Sequence, residues 1–189
     1  MGNHDIVVVG ANIAGINTAH YLLKHTIPTL EAANRSTTYK LTLISPSTHF
    51  FWKIGAPRAL INSELIPFSK IFKPIEDGFK QYPKDKFNFV IGSAVGLDEG
   101  RKTLTVQSPE STKTVSYSSL IIATGTTSTS PLWTLHGSHE ASISSMKELH
   151  AALPKAHTIL IAGGGPAGVE TAGQYLLNPQ LVKTNNHPR

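Results

Sequence analysis

The sequence predicts an α/β fold built on a parallel β-sheet, and two features of the chain indicate it. The continuously apolar run Ile6–Val9 is typical of a central parallel strand that is covered on both faces, and the mainly apolar runs Leu41–Ile44 and Leu120–Ala123 predict further strands. Glycine-rich turns follow an apolar run at Gly10–Gly15 and at Gly163–Gly168, and helical spacing of apolar residues follows each turn. Because parallel strands need a crossover connection, this order indicates βαβ units.

The first unit occupies the N-terminal 45 residues. Helical spacing after the first glycine turn is shown by Ile13, Ile16, Ala19, His20 and Leu23, and the run Leu41–Ile44 is stopped by Ser45-Pro46. We therefore expect strand, helix and strand with a right-handed crossover.

Prolines and exposed-looking aromatic residues between His49 and Tyr82 predict loops and short helices there. The remaining predicted elements are strands at Phe87–Ile91 and Ser93–Val95, a hairpin of Thr103–Val106 with Thr114–Tyr117, a Ser/Thr linker over Thr126–Ser130, a helix over Ser145–Leu153 and a strand at Ile159–Ala162.

Composition limits the functional classes. The 189 residues are 40% hydrophobic, contain no run near the roughly 18 apolar residues of a membrane span, and lack a signal-peptide pattern, so a soluble cytoplasmic protein is expected. A net charge of +5 could indicate nucleic-acid binding, but the basic residues are dispersed, which favours an ordinary solvated surface. Cysteine is absent, which excludes disulfides, thiolate metal sites and a redox dithiol within this chain.

The second glycine turn matches the dinucleotide fingerprint G-x-G-x-x-G at Gly163, Gly165 and Gly168. In that motif the glycines permit a tight turn, close approach of the backbone to a diphosphate and close packing of the following helix, whose N-terminus binds the anion. A structural turn without a ligand remains the alternative.

The first glycine turn departs from the fingerprint. Gly10 and Gly15 are present, but Asn12 stands where the second glycine is expected, and Ser45 holds the position of the acid that binds a ribose. A serine hydroxyl can bond a ribose more weakly than a carboxylate. The motif alone therefore leaves open whether the first turn binds a nucleotide.

Four motifs in order suggest a family: the two glycine turns, the run Leu120–Gly125 between them, and Thr48–Arg58. Together they resemble the two-dinucleotide-binding flavoprotein reductases with a Rossmann-like FAD/NAD(P)-binding fold. The likeness is to the apoptosis-inducing-factor and ferroptosis-suppressor branch in its fungal, AMID-like form. The resemblance implies an FAD-dependent oxidoreductase that moves a hydride from NAD(P)H through the flavin to a quinone or another small-molecule acceptor.

The resemblance also implies cofactor-binding positions. Those expected on the FAD side are Gly10, Ala11, Asn12, Ala14, Gly15, Ser45, Lys53, Arg58, Ala94, Ala123, Thr124 and Gly125. Gly163, Gly165, Gly168 and Glu170 are expected on the NAD(P)H side. No catalytic side chain is expected, because the chemistry belongs to the cofactor. The pair His136 and His139 lies in a loop-like stretch, so no metal site is predicted.

The resemblance predicts a chain that is incomplete at its C-terminus. Residues 178–189 contain turn residues and no strand, so the expected acid about 20 residues beyond the second fingerprint is missing. We expect residues 1–130 to form the N-terminal segment of an FAD-binding domain, 131–157 a linker and helix, and 158–189 the start of an NAD(P)H-binding domain. The alternative function is a non-catalytic nucleotide-binding remnant or interaction protein. The electron acceptor, the choice between NADH and NADPH, and the oligomeric state are left open.

Overall fold

The computed structural model describes residues 2–178 and Leu181, which fall into two compact units. The first unit comprises the chain up to Phe50 together with Lys73–Thr126. The second comprises Phe51–Phe72 and the chain from Thr127 onward. Residues 51–72 thus belong to the second unit, and the predicted division into an FAD-binding segment, a linker and the start of an NAD(P)H-binding domain stays a prediction.

The elements follow the predicted order with additions. The strands are β1 (Gly2–Val9), β2 (Thr37–Ser45), β3 (His49–Phe51), β4 (Phe72–Pro74), β5 (Phe87–Ile91), β6 (Ser93–Asp98), β7 (Thr103–Gln107), β8 (Thr112–Ser116) and β9 (Ser119–Ile122). The α-helices are α1 (Ile13–Tyr21), α2 (Ile27–Ala33), α3 (Ala56–Ile61), α4 (Phe68–Ile71), α5 (His139–Ala152) and α6 (Pro166–Leu176).

A four-stranded parallel sheet in the order β5-β2-β1-β9 forms the centre of the first unit. Ile6 of β1 is level with Leu41 of β2 and Ser119 of β9. This confirms the predicted α/β fold and the parallel arrangement of the apolar runs. Strand order reverses at β1, since β2 and β5 lie on one side of it and β9 on the other.

Both faces of this sheet are covered, which explains the continuous apolar sequence of β1. Ile6 and Val8 join the buried cluster on the face covered by α1, whereas Val7 and Val9 join a second cluster with Leu104 of β7 on the opposite face. Alternate side chains of a strand point to opposite faces, so each face receives two apolar residues.

The helical crossover is longer than predicted. A π-helical turn at Leu22–Thr26 joins α1 to α2. Ala19, Leu23 and Ile27 are all buried, at intervals of four residues. A regular α-helix has 3.6 residues per turn, so side chains four apart drift around it, and the wider turn brings Ile27 back towards the sheet.

An antiparallel sheet β6-β7-β8 covers the second face. The predicted hairpin is present, with Leu104 of β7 opposite Val115 of β8. A bulge lies in β6 between Ala94 and Gly96.

The second unit is built from helices α3 to α6. Its buried cluster includes Phe51, Leu60, Phe72 and Met146. The prediction of exposed aromatic residues was wrong here, because Phe51 is fully buried and Phe72 is 4% exposed. The short strands β3 and β4, which end or begin at these two residues, were also missed.

The strand predicted at Ile159–Ala162 was wrong. These residues are without regular secondary structure, and Leu160 is 90% exposed. A strand is stabilised by hydrogen bonds to a neighbour. No strand pairs with this segment in the part of the chain that the structure describes.

Candidate functional site

The first glycine turn lies where the central sheet reverses its strand order. Gly10 follows β1, and its N–H donates to the carbonyl oxygen of Ile44 at 2.8 Å. Ala123 follows β9, and its N–H donates to the carbonyl oxygen of Val9 at 2.7 Å. The carboxyl ends of parallel strands at such a reversal form the usual ligand crevice of open α/β sheets.

Gly10 and Gly15 are required by the geometry of this turn. Gly10 has a φ of +104°, and a Cβ built on it would lie 2.3 Å from the carbonyl oxygen of Ala123. A Cβ on Gly15 would lie 1.7 Å from the carbonyl oxygen of Gly10. The turn therefore brings α1 into direct backbone contact with the end of β1 and places both beside the Ala123–Gly125 segment.

Asn12 is the N-cap residue of α1. Its carboxamide Oδ1 accepts a hydrogen bond from the N–H of Ile13 at 3.0 Å, and its carbonyl oxygen accepts the first helical bond from Ile16 at 2.9 Å. The first N–H groups of a helix have no partner within the helix and carry the positive end of its dipole. This end of α1 can therefore bind an anion.

The neighbouring predicted residues differ in accessibility. Ala11 is buried, Ala14 is exposed on the first turn of α1, and Thr124 and Gly125 are exposed after β9. Gly125 has a φ of +67° with no atom near the position of a Cβ, so that side of the turn is open.

Ser45 lies at the end of β2, as predicted, but its hydroxyl already takes part in a hydrogen bond within the protein. Its side chain is 5% exposed, and its Oγ accepts a hydrogen bond from the N–H of Ser47 at 3.2 Å. Ser47 in turn donates through its own hydroxyl to the carbonyl oxygen of His49. Ser45 therefore stabilises the turn after β2 in this structure. Its binding to a ribose stays a prediction.

Ala94 lies in β6 opposite Val106, beside the bulge. The bulge leaves Val95 outside the regular pairing with β7, and 57% of this residue is exposed. Unpaired backbone groups at a bulge can bind a ligand.

The second glycine turn repeats the geometry of the first. Gly163 has a φ of +109°, and a Cβ on Gly168 would lie 2.1 Å from the carbonyl oxygen of Gly163. Gly165 is the N-cap of α6, and its carbonyl oxygen accepts the first helical bond from Val169 at 3.0 Å. Space around Gly165 is open, since a Cβ there would meet no atom within 4 Å.

Glu170 and Arg58 lie together in the second unit. Helix α6 packs against α3, and a cavity of about 290 Å³ is lined by residues of both helices and of the segment before α3. The polar and aromatic lining residues are Trp52, Arg58, Glu170 and Gln174. Lys53, in a 3-10 turn beside Trp52, is half-buried.

Two residues that line this cavity, Trp52 and Gln174, were not among the binding residues predicted from the sequence. Gln174 lies one helical turn after Glu170, and this i,i+4 spacing could have indicated it. Trp52 lies inside the Thr48–Arg58 motif, where it was grouped with exposed loop aromatics.

His20 lies on α1, as its helical spacing predicts, but its contacts were not predicted. Its ring stacks on Phe79 at 4.2 Å between centroids, and its Nδ1 lies 3.0 Å from the hydroxyl oxygen of Tyr82. Burial lowers the pKa of His20, because desolvation disfavours the charged imidazolium. A neutral His20 anchors α1 to the 3-10 turn Glu76–Phe79.

His136 and His139, the pair considered in the sequence for metal binding, each contact a nearby group. His136 Nε2 lies 2.7 Å from the carbonyl oxygen of Ser128, and His139 contacts Glu140. Over residues 2–178, no cluster of three or more His, Asp or Glu side chains is arranged to hold a metal ion. The helices in the same residues are too short or too polar to cross a membrane.

The parallel sheet with a glycine turn at its strand-order reversal, together with the second glycine turn before α6, defines an α/β protein of the dinucleotide-binding class. The chain belongs to the pyridine nucleotide-disulphide oxidoreductase family, whose model matches residues 4–180. The family resemblance inferred from the motifs is thus confirmed, and so is the Rossmann-like fold. Despite the family's name, the 189 residues contain no cysteine.

Similar proteins support this assignment. Oxidoreductase ptaL of Pestalotiopsis fici is 42% identical over 172 residues, which cover 89% of this chain and 44% of that protein. Ferroptosis suppressor protein 1 of Mus musculus is 26% identical over 195 residues, which cover 100% of this chain and 45% of that protein. The chain thus spans less than half the length of these relatives.

A solved structure agrees at the level of the fold. The water-forming NADH oxidase from Lactobacillus brevis, bound to NADH, aligns with a TM-score of 0.57 and 19% identity. The alignment covers 91% of this chain and 37% of that one.

Proposed function

We propose that this chain forms the FAD-binding segment and the start of the NAD(P)H-binding segment of an FAD-dependent oxidoreductase. One observation supports this most directly: the chain builds the same glycine turn twice. Gly10 and Gly163 have positive φ values of +104° and +109°, and Gly15 and Gly168 lie too close to the carbonyl oxygens of Gly10 and Gly163, respectively, to carry a side chain. Two diphosphate-binding turns are what a protein with two dinucleotide cofactors needs.

The first turn fits the diphosphate of FAD. Because Gly10 and Gly15 have no side chains, a ligand can approach the backbone at the N-terminus of α1, which is the usual anion site of this fold. The residues of the first unit proposed to surround the cofactor are Gly10, Ala11, Asn12, Ala14, Gly15, Ser45, Ala94, Ala123, Thr124 and Gly125. The assignment of Lys53 and Arg58 to FAD rests on the family resemblance alone.

The second turn fits the diphosphate of a nicotinamide nucleotide. Gly163, Gly165 and Gly168 form the start of α6, and nothing within 4 Å would obstruct a ligand at Gly165. Glu170 faces the cavity shared with Arg58 and would contact the nucleotide side of the site. We propose that residues 158–189 begin the NAD(P)H-binding domain, that residues 131–157 connect it, and that residues 1–130 contain the FAD-binding segment.

The chemistry supplied by bound flavin is two-electron redox chemistry, from NAD(P)H to a quinone or another small-molecule acceptor. The residues of the chain bind and orient: the helix N-termini neutralise phosphate charge, and Arg58 adds a positive charge. The chain offers no dithiol, so a disulfide acceptor within these 189 residues is excluded.

The visible absorption spectrum of the purified chain tests this function. We expect flavin bands that bleach when NADH is added without oxygen. A chain that stays colourless after incubation with FAD would contradict the proposal. Chains with Gly10→Ala and Gly163→Ala separate the two sites, since only the first should lose the flavin bands.

A second candidate is a nucleotide-binding protein without turnover. The observation favouring it is the missing strand before the second turn: Leu160 is 90% exposed where the fold normally places a buried strand. Flavin bands that persist unchanged in NADH would support this candidate over the enzyme.

A further inference from the structure

Asn12 and Gly165 occupy the same position in the two glycine turns, and their backbones agree. Asn12 has φ −107° and ψ −160°, and Gly165 has φ −76° and ψ 176°, both extended. Each carbonyl oxygen accepts the first bond of its helix, at 2.9 and 3.0 Å. The difference between the turns at this position is therefore the side chain of Asn12.

That side chain is directed at an anion-binding group. The carboxamide Oδ1 of Asn12 lies 3.0 Å from the backbone N of Ile13, the first residue of α1. The N–H of Ile13 is one of the groups that a helix leaves unpaired and that a bound phosphate would use. An oxygen with partial negative charge thus stands at the positive end of the helix dipole, where the diphosphate belongs.

We propose that Asn12 is an internal competitor of the cofactor: its carboxamide occupies the Ile13 N–H and must be displaced before the diphosphate of FAD can bind α1. The proposal rests on the function proposed above. It assigns to Asn12 the role of a residue that sets FAD affinity, in addition to its position in the turn.

The proposal predicts an unusual direction of change. Asn12→Gly restores the fingerprint and removes the competitor, so FAD should bind roughly three- to tenfold more tightly, the factor that corresponds to no longer displacing a hydrogen bond worth about 1 kcal/mol. Asn12→Asp keeps an N-cap oxygen and adds a negative charge beside the diphosphate, so FAD should bind more than about tenfold more weakly. If Asn12 served only to stabilise the helix, Asn12→Gly would weaken FAD binding or leave it unchanged.

A matched control is available in the same unit. The Oδ1 of Asn34 accepts a hydrogen bond from the N–H of Ser36 at 3.1 Å, in the turn between α2 and β2. This turn lies at the amino end of the sheet, opposite the glycine turn. Asn34→Gly removes a carboxamide contact of the same kind and should leave FAD affinity unchanged.

The experiment is a titration of FAD, followed by flavin fluorescence, into the full chain and into its Asn12→Gly, Asn12→Asp and Asn34→Gly variants. Hydrogen exchange of the Ile13 amide, measured without FAD, gives a second readout. It should be slower in the unsubstituted chain than in Asn12→Gly, because the carboxamide protects that amide.

The outcomes separate this inference from the proposed function. If the unsubstituted chain binds FAD and Asn12→Gly binds it no more tightly, the inference is overturned and the function stands. Equal exchange of the Ile13 amide in both chains also overturns the inference. If no variant binds FAD, both the function and the inference fail.

Discussion

The backbones of Gly10 and Ala123 lie so close together that a methyl group on Gly10 would stand 2.3 Å from the Ala123 carbonyl oxygen. Gly10→Ala must therefore move β9 or the turn, and it must also place a side chain at a φ of +104°. We expect a loss of more than about 2 kcal/mol of unfolding free energy, together with loss of FAD binding. Urea unfolding followed by circular dichroism, with a parallel FAD titration, measures both.

Gly125→Ala is the control for backbone strain alone. Gly125 also has a positive φ, at +67°, but a Cβ there would contact nothing within 4 Å. We expect a loss of about 1 kcal/mol. Equal losses at Gly10 and Gly125 would show that the contact with Ala123 is unimportant.

Gly168 and Gly173 make a matched pair within α6. A Cβ on Gly168 would lie 2.1 Å from the Gly163 carbonyl oxygen, whereas a Cβ on Gly173 would meet no atom within 4 Å. Gly168→Ala should therefore disrupt the second turn and weaken NADH binding at least tenfold. Gly173→Ala should stabilise the helix by roughly 0.5 to 1 kcal/mol, because alanine is the better helix former.

Calorimetric titration with NADH and thermal unfolding of both variants test this pair. Tighter or unchanged NADH binding by Gly168→Ala would contradict the role proposed for the second turn.

Protonation of His20 should destabilise the first unit. Burial lowers the pKa of His20 below its usual 6.5, so the unfolded chain binds the proton more readily than the folded chain. The stability from neutral His20 is complete above pH 6.5 and is lost as the pH falls towards the folded pKa. Lys73, which lines the same cavity as His20, adds a positive charge on that side.

Urea unfolding between about pH 5 and pH 8 measures this dependence, with His20→Phe as the comparison. The phenyl ring keeps the stacking on Phe79 and cannot titrate. The difference in stability between the two chains should shrink or change sign as the pH falls, and a difference independent of pH would contradict the assignment.

Glu31 links α2 to the residue before β5. Its Oε1 accepts hydrogen bonds from Lys86 Nζ and from the Tyr39 N–H, and the bond from Lys86 is the main reason that the pKa of Glu31 is lowered. A lowered carboxyl pKa gives stability above pH 4.5 that is lost as the pH falls through the folded value. Because both side chains are about a quarter exposed, Glu31→Gln should cost at most about 1 kcal/mol near pH 7.

The exposed pair Asp77 and Lys80 is the comparison for Glu31. Its N···O distance is 2.6 Å, but the side chains are 57% and 74% exposed. Asp77 raises the pKa of Lys80, and water screens the pair strongly. Asp77→Asn should therefore change the urea midpoint less than Glu31→Gln does, and the opposite order would overturn this ranking.

Local patterns predicted the central sheet well. β5 was predicted with its observed bounds, Phe87–Ile91, and the apolar runs of β1, β2 and β9 all lie in the parallel sheet. The run of β1 is apolar at every position because both faces of the sheet are covered there, which is a local signal of a buried parallel strand. The position of the first glycine turn was predictable in part for a similar reason, since Gly15 is required by its contact with the nearby Gly10 backbone and Gly10 by its own positive φ.

Segments that depend on distant partners were predicted poorly. Phe51 and Phe72 looked exposed because prolines and polar residues surround them, yet they stack on each other at 4.9 Å in the second unit. The apolar run Ile159–Ala162 has the sequence of a strand and is not one, because a strand requires a hydrogen-bonded neighbour.

The sequence by itself determined the family, the parallel α/β order and the two glycine turns, because each depends on residues close together in the chain. Only the tertiary structure decided how those positions are used. In the tertiary structure Gly10 packs against Ala123, and the hydroxyl of Ser45 accepts a hydrogen bond from the N–H of Ser47. Arg58 and Glu170 line the same cavity. The Asn12 carboxamide is directed at the Ile13 N–H. These contacts depend on side-chain rotamers and on residues far apart in sequence. Neither can be inferred from a local sequence pattern.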